Sequence, residues 1–264
     1  MSKEITKEDV IIHKKQAIKK VNNLLELYIN HSDPKYLKKA NLLSYWLESF
    51  SDYIREETIF NPKELLSYKR GDVIKVNFGF NVGSEHGGLH YAVVLDNNNL
   101  QSSPVVTVIP LSSGTPDTTH ERDVFLGREL YTKLNAKNKS LLENAKKKYD
   151  ENNQIMTTLN HTIKEAEKSG IPIENIEGID EILNDLRIRQ NDVNKDIKLL
   201  EKYGKEISHM KQGSIAMMEQ ITTVSKMRIY VPKKSTDILY GISFSAESME
   251  KLTKQLINLY IKNK

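Results

Sequence analysis

The sequence predicts an α+β protein: a small, strongly curved β domain preceded by a helical hairpin, interrupted by a long helical hairpin and closed by one further helix. Three observations predict this. Apolar residues recur at three- and four-residue spacing in the first 66 residues and again over 131–209. Between Lys69 and Gly127 the apolar period falls to two. Short β-rich runs then return at Ser214, so the β domain is interrupted, not finished.

In the first segment, 1–66, Ile11, Ile18, Val21, Leu25 and Tyr28 trace one stripe, and Tyr36, Ala40, Leu43, Leu47, Phe50 and Ile54 trace another. Asn30-His31-Ser32-Asp33-Pro34 separates them, with Asp33 as N-cap and Pro34 at the first helical position. The two stripes are expected to bury each other, with Trp46 beside the second. The β domain is assigned to 67–130 and 210–264. Its runs are Val73–Phe78, Tyr91–Leu95, Val105–Leu111 and Arg122–Leu126, then Ser214–Met218 and Met227–Val231, divided by Gly, Asn, Ser and Pro. Over the insertion, 131–209, Leu142, Ala145, Tyr149, Asn152, Met156, Leu159, Ile163 and Ala166 keep a three-four rhythm. Ser169-Gly170-Ile171-Pro172 breaks it, and a second arm runs from Ile179 through Leu186, Val193 and Leu200 to Ile207. Two arms of ~30 residues make an antiparallel coiled coil projecting roughly 45 Å at 1.5 Å per residue. An amphipathic helix from Ala246 through Leu252, Leu256 and Leu259 ends the chain.

Composition narrows the function. The chain of 264 residues is 38% hydrophobic, low for one compact globule, and the projecting insertion accounts for the polar excess. The absence of Cys excludes disulfides, thiolate metal sites and cysteine nucleophiles, and suits a reducing cytosol. No apolar run approaches the ~18 residues of a membrane span and the N-terminus is polar, so the expectation is a soluble, cytoplasmic protein without membrane contact. A net charge of +4 is compatible with a polyanionic partner but does not by itself identify one. The seven His are scattered and no His-Glu-x-x-His spacing occurs, so neither a metal nor a cofactor is expected.

The densest chemistry lies at 70–96, where two β runs flank Gly83-Ser84-Glu85-His86-Gly87-Gly88-Leu89-His90. That segment, Ser103–Ser113 and Ser214–Arg228 resemble the MazF/PemK family of toxin endoribonucleases in three blocks and in the family's order. The resemblance implies a small SH3-like barrel with a C-terminal helix, a homodimer, a substrate of single-stranded RNA cut without a metal, and an inhibiting antitoxin protein. It covers about 68–127 and 210–262 and says nothing of the N-terminal hairpin or the insertion. It also implies site residues. His90 stands where the family has an arginine held to stabilise the scissile phosphate; Ser112 corresponds to its catalytic threonine or serine; Glu219 and Gln220 match its acidic-Gln pair, and Lys226 and Arg228 its basic positions.

Metal-free cleavage needs a base for the ribose 2′-hydroxyl, an acid for the departing 5′-oxygen, and cationic or hydrogen-bonding groups around the phosphorane. His90 can move a proton, since an unperturbed imidazole titrates near pH ~6.5, but it lacks the two-pronged grip of a guanidinium. The catalytic candidates are therefore His90 for acid-base work and Ser112 to orient the phosphate, with Glu85 or Glu219 as auxiliary base or as orienter of one. Arg70, Ser84, Tyr91, Gln220, Lys226 and Arg228 are the RNA-binding candidates, with Arg70, Lys226 and Arg228 replacing the missing cation. Tyr91 and Phe80 either stack bases or sit in the core. The bland alternative has His90 merely ending an apolar strand, in a barrel that has lost cleavage and serves as a nucleic-acid- or protein-binding adaptor. The amphipathic N-terminal hairpin could also fill the antitoxin's groove and restrain activity in cis.

Overall fold

A computed structural model describes residues 4–261 and has five α-helices and seven strands among them. Two compact units divide the chain: residues through Phe60 together with Asn77–Leu89, and Asn61–Val76 together with everything from His90 onward. The segment 77–89, read from sequence as part of the β domain, packs with the N-terminal hairpin.

In the first unit, α1 (Lys7–Ile29) is capped by Thr6, whose hydroxyl accepts from the Asp9 amide at 3.1 Å, and α2 (Pro34–Glu56) by Asp33, with Pro34 in its first turn. Only Ala40 of these helices is fully buried. Val21, Leu25, Tyr28, Tyr36, Leu43 and Leu47 are half-buried, whereas Ile11, Ile18, Phe50 and Ile54 are exposed. The expected mutual burial is therefore partial: the helices cover the part of each stripe next to the turn that joins them and leave the far ends open.

The second unit is built on an antiparallel sheet of β1 (Val73–Asn77), β2 (Leu89–Val94), β3 (Val105–Ser113), β4 (Val124–Gly127), β5 (Ser214–Ala216), β6 (Thr222–Ser225) and β7 (Ile229–Val231). The order is β4-β5-β3-β2-β1-β7, with β6 also on β3, so the path does not close. The long β3 organises it. One edge carries β2; the other carries β6 along Val105–Val108 and β5 along Leu111–Ser113. Odd positions of β3, Ile109 and Leu111, join Val73, Val93, Ala216, Met249 and Leu252 in the main core, while Val106 and Val108 are buried on the opposite face.

Between β4 and β5 the chain leaves the sheet as α3 (Glu129–Lys168) and returns as α4 (Ile179–His209). Ala145, Asn152, Leu159 and Ala166 are buried at seven-residue intervals, as are Ile179, Leu186 and Val193, which gives an antiparallel hairpin with a narrow seam. Leu142, Tyr149 and Met156, from the alternate positions of the rhythm, stay exposed. The hairpin's base belongs to the main core through Leu130, Leu134 and Tyr203. The last helix, α5 (Ala246–Tyr260), packs there through Met249 and Leu252. No described helix is long and apolar enough to cross a membrane.

Candidate functional site

The β2–β3 ladder pairs Ala92 with Pro110, Val93 with Ile109 and Val94 with Val108. The paired register ends at Ala92 and Pro110; His90 lies two residues before the one and Ser112 two residues after the other, toward the same end of the two strands. Side chains along a strand alternate between faces, so His90 shares the face of Ala92 and Ser112 that of Pro110. Below them on that face Ala92, Val94, Pro110 and Val108 are fully covered, whereas His90 and Ser112 are half-buried. An imidazole and a hydroxyl thus lie beyond the same end of an apolar layer. On its other edge Ser112 pairs with Ile215 of β5.

Glu219 lies in the 3-10 turn Met218–Gln220 that follows β5. As the chain moves from Ile215 to Met217 it steps from opposite Ser112 to the level of Pro110, whose carbonyl accepts the Met217 amide at 2.9 Å. Glu219 therefore leaves the level of Ser112 toward β4, where its carboxylate is ion-paired with Arg122. The Met218 amide donates to Asp123 at 2.9 Å, and α5 fixes both strands of chain: Gln255 donates to the Arg122 carbonyl at 2.9 Å and the Tyr260 hydroxyl to the Met218 carbonyl at 2.9 Å. Burial pushes the Asp123 carboxyl above the usual range, against the Met218 amide and the His120 charge. Arg122 is the functional candidate that sequence reasoning missed. It had been read only as the first residue of a β run, and nothing in its spacing links it to Glu219 almost a hundred residues away.

The three expected replacement cations are placed differently. The Arg70 guanidinium donates to the Leu95 carbonyl and, at 2.9 Å, to the Thr253 hydroxyl of α5. It sits at the Leu95 end of β2, five residues or about 16 Å from His90 at the ordinary strand rise. Lys226 is fully buried; its ammonium donates to the carbonyls of Leu100 at 2.9 Å and Gln101 at 3.4 Å and lies 5.7 Å from the Tyr68 ring centre. An RNA contact through Lys226 is corrected to a structural tie, because the ammonium faces backbone carbonyls, not solvent. Arg228 ends the half-buried turn that joins β6 to β7, and Gln220 is half-buried beside Glu219.

Tyr91 points to the opposite face from His90. Its hydroxyl donates to Glu206 of α4, and the same carboxylate takes Lys75 at 2.5 Å, with the Lys75 ammonium 5.2 Å from the Tyr91 ring. Burial, reinforced by Glu206, raises the phenol far above its usual range. Tyr91 is partly buried and packs against the main core.

Ser84 and Glu85 belong to the first unit, in a turn closed by its own bonds. The Glu85 carboxylate accepts the Val82 amide at 3.3 Å, and the Glu85 amide donates to the Val82 carbonyl at 3.2 Å. Both residues are exposed. Among the described residues no group of three or more His, Cys, Asp or Glu is arranged to hold a metal ion.

Residues 69–166 match the model of a family described as PemK-like, MazF-like toxin of type II toxin-antitoxin system. No curated protein matches the chain. The match spans β1 to β4, including His90 and Ser112, and runs into α3; β5, with Glu219 after it, lies beyond its end. The chain thus carries a PemK-like, MazF-like domain at these residues.

Proposed function

We propose that the chain is a toxin-like endoribonuclease that cleaves single-stranded RNA at His90 and Ser112 without requiring a metal. The observation that carries this reading is an imidazole and a hydroxyl at the same end of the paired strands β2 and β3, each two residues past the last paired position, in a segment that matches a toxin family. In the reaction His90 takes the proton of the ribose 2′-hydroxyl as its oxygen attacks the adjacent phosphorus. The bond to the 5′-oxygen breaks, that oxygen takes a proton from water, and the products carry a 2′,3′-cyclic phosphate and a 5′-hydroxyl. Ser112 donates to a non-bridging phosphate oxygen. Arg122, held by Glu219, supplies positive charge on the Glu219 side, and Glu219 orients it. General acid-base catalysis of this kind contributes about 10²–10⁴-fold.

The family reading also implies an antitoxin partner, a homodimer and a cytoplasmic site of action. The SH3-like barrel travels with it, formed where β6 runs through the turn Lys226–Arg228 into β7; the coiled coil of α3 and α4 rests instead on their seven-residue burial interval. A second reading, a non-cleaving nucleic-acid- or protein-binding adaptor, is favoured by one observation: the guanidinium of Arg70 and the ammonium of Lys226 are both engaged with the fold.

The test is incubation of purified protein with single-stranded RNA in EDTA, comparing wild type with His90→Ala and Ser112→Ala and mapping the ends. The expected result is cleavage by wild type with cyclic-phosphate ends, reduced at least a hundredfold, the lower bound for acid-base work, in His90→Ala. Equal cleavage by all three proteins removes the assignment. RNA binding without cleavage by the wild type selects the adaptor.

A further inference from the structure

We propose that Trp46 and Tyr53 of the N-terminal hairpin clamp the base of the loop Asn77–Leu89, holding in order a segment whose exposed tip contacts single-stranded RNA. The RNA contact rests on the endoribonuclease reading; the clamp rests on the first unit alone.

The clamp is built from one face of α2. Trp46, Phe50 and Tyr53, at four- and three-residue spacing, form a tilted aromatic row with ring centres 5.7 and 6.2 Å from Trp46. The Trp46 ring lies against the backbone of Gly79, so close that a Cβ there would come within 2.7 Å of it. Gly79 has φ +85, in the region that only glycine enters without strain, so the contact and the conformation both require the missing side chain. Seven residues on, the Tyr53 hydroxyl accepts from the Asn77 amide nitrogen Nδ2 at 3.3 Å, and Asn77 Oδ1 accepts the Gly79 amide at 3.1 Å. The hairpin therefore holds both residues at which the loop leaves β1. Inside the loop, Phe78 and Gly88 exchange bonds with the opposing strand of the turn: Phe78 N to Gly88 O at 2.8 Å and Gly88 N to Gly79 O at 2.7 Å.

The tip is left open. Residues 81–85 are all exposed, Val82 at 81%, and nothing approaches within 4 Å of a Cβ built on Gly83. A hairpin that blocked the loop would cover this tip. One that grips the base and leaves Ser84 and Glu85 in solvent does the opposite: it removes conformational freedom from a binding segment before the ligand arrives, which strengthens binding. The hairpin is thus assigned a positioning role, in place of the cis restraint that its amphipathicity alone suggests.

The experiment compares Trp46→Ala, Trp46→Phe and Tyr53→Phe in the full chain, by amide hydrogen exchange and by binding and cleavage of a single-stranded RNA. In Trp46→Ala the amides of Phe78 and Gly88 are expected to exchange about tenfold faster, the factor set by ordering roughly one residue. The amides of β2 and β3 keep their protection, which reports that the fold is intact. The RNA concentration for half-saturation rises by about the same factor while the turnover number holds. Trp46→Phe restores most of both, and Tyr53→Phe loosens Phe78 without touching the ring contact. Unchanged loop exchange in both Trp46→Ala and Tyr53→Phe overturns the clamp, and faster cleavage at lower RNA concentration by Trp46→Ala overturns the positioning role in favour of restraint. If wild type neither binds nor cuts RNA, the endoribonuclease reading and the RNA contact fall together, and the exchange data still decide the clamp.

Discussion

Replacing Lys226 by methionine separates a nucleic-acid contact from a structural tie. The side chain is fully buried, and its ammonium donates to the Leu100 and Gln101 carbonyls at 2.9 and 3.4 Å. A hydrogen bond from a charged group is worth about 1.5–3 kcal/mol, and the longer of the two belongs at or below the low end. Methionine keeps the apolar stem, leaves both carbonyls without this donor and removes the cost of burying a charge, so the net loss is about 2 kcal/mol. For a unit of this size that is a fall in Tm of about 4–8 °C, measurable by circular dichroism. The charge also carries a pH signature. Burial holds the Lys226 ammonium below its ordinary range. The unfolded chain therefore binds the extra proton over a window that ends near the usual lysine value of about 10.4, and wild-type stability gains from Lys226 as pH rises through that window. Lys226→Met loses this gain. In RNA binding, the slope of log K against log salt stays as in wild type, because no phosphate is neutralised by a buried ammonium. A variant with unchanged Tm and a slope smaller by about 0.7, the single-strand value for one lost phosphate contact, would refute the structural account.

Two further substitutions test the packing that frames the site. Glu129 of α3 accepts from the Ser245 amide and the Ser248 hydroxyl, both at 2.5 Å, and pairs with Lys133 at 2.7 Å, so it caps α5 from outside. Burial alone would raise its pKa, but Lys133 and the two serines outweigh it and hold the carboxyl below the usual range. Its stabilising contribution is then complete above about pH 4.3 and disappears as pH falls through the lowered value; acid unfolding of Glu129→Gln should lack this contribution and start from a stability lower by about 1–2 kcal/mol. Tyr203 is buried in the main core with no partner for its hydroxyl, and burial pushes its phenol up to about 12. Tyr203→Phe is expected to be neutral or to stabilise by about 1 kcal/mol in urea unfolding, since an unsatisfied hydroxyl is removed and the ring kept.

What was legible in the sequence had a local cause. Six of the seven strands follow from β-rich runs between turn residues, and α1, α2, α3, α4 and α5 from three-four spacing with Asp33-Pro34 and Ser169–Pro172 as boundaries. The strand that was missed, β6, is the polar run Thr222-Thr223-Val224-Ser225; it is extended because it pairs with Val105–Val108, a fact of tertiary structure. His90 and Ser112 follow from the resemblance, and the ladder adds that both lie toward the same end of β2 and β3. Lys226 was taken for a surface cation because sequence does not say which lysine folds inward, and Arg122, Glu129 and Glu206 were passed over because each acquires its role from a partner about 90 to 130 residues away. The loop between β1 and β2 is legible in its glycines and polar residues, whereas its packing against Trp46 at Gly79 is a tertiary contact that the sequence does not show.

The insertion is separable from the β domain only at a particular height. Its two helices emerge from β4 and β5, which pair directly through Val124–Ala216 and Phe125–Ile215, so the sheet itself holds the insertion's ends together. Lengthening a connection whose ends are fixed costs little, about 0.6 kcal/mol per doubling, which lets so long a hairpin stand between adjacent strands. Its lowest turns are a different matter. Leu130, Leu134 and Tyr203 are buried in the main core, and at ~1.5–3 kcal/mol each they supply about 5–9 kcal/mol, comparable with the ~5–15 kcal/mol stability of a whole domain. The Lys148–Asp196 ion pair, 2.6 Å, marks a level above that core where the helices still face each other. Deleting 149–195 and joining Lys148 to Asp196 through a turn of about four residues, a length that antiparallel helices accept, should leave a folded protein with cooperative unfolding. Deleting 131–209 should not. The two variants are compared by near-ultraviolet circular dichroism and thermal unfolding; an unfolded short-deletion protein, or a long-deletion protein as stable as wild type, would show that the seam of α3 and α4 and the sheet core are not the independent layers that their burial pattern describes.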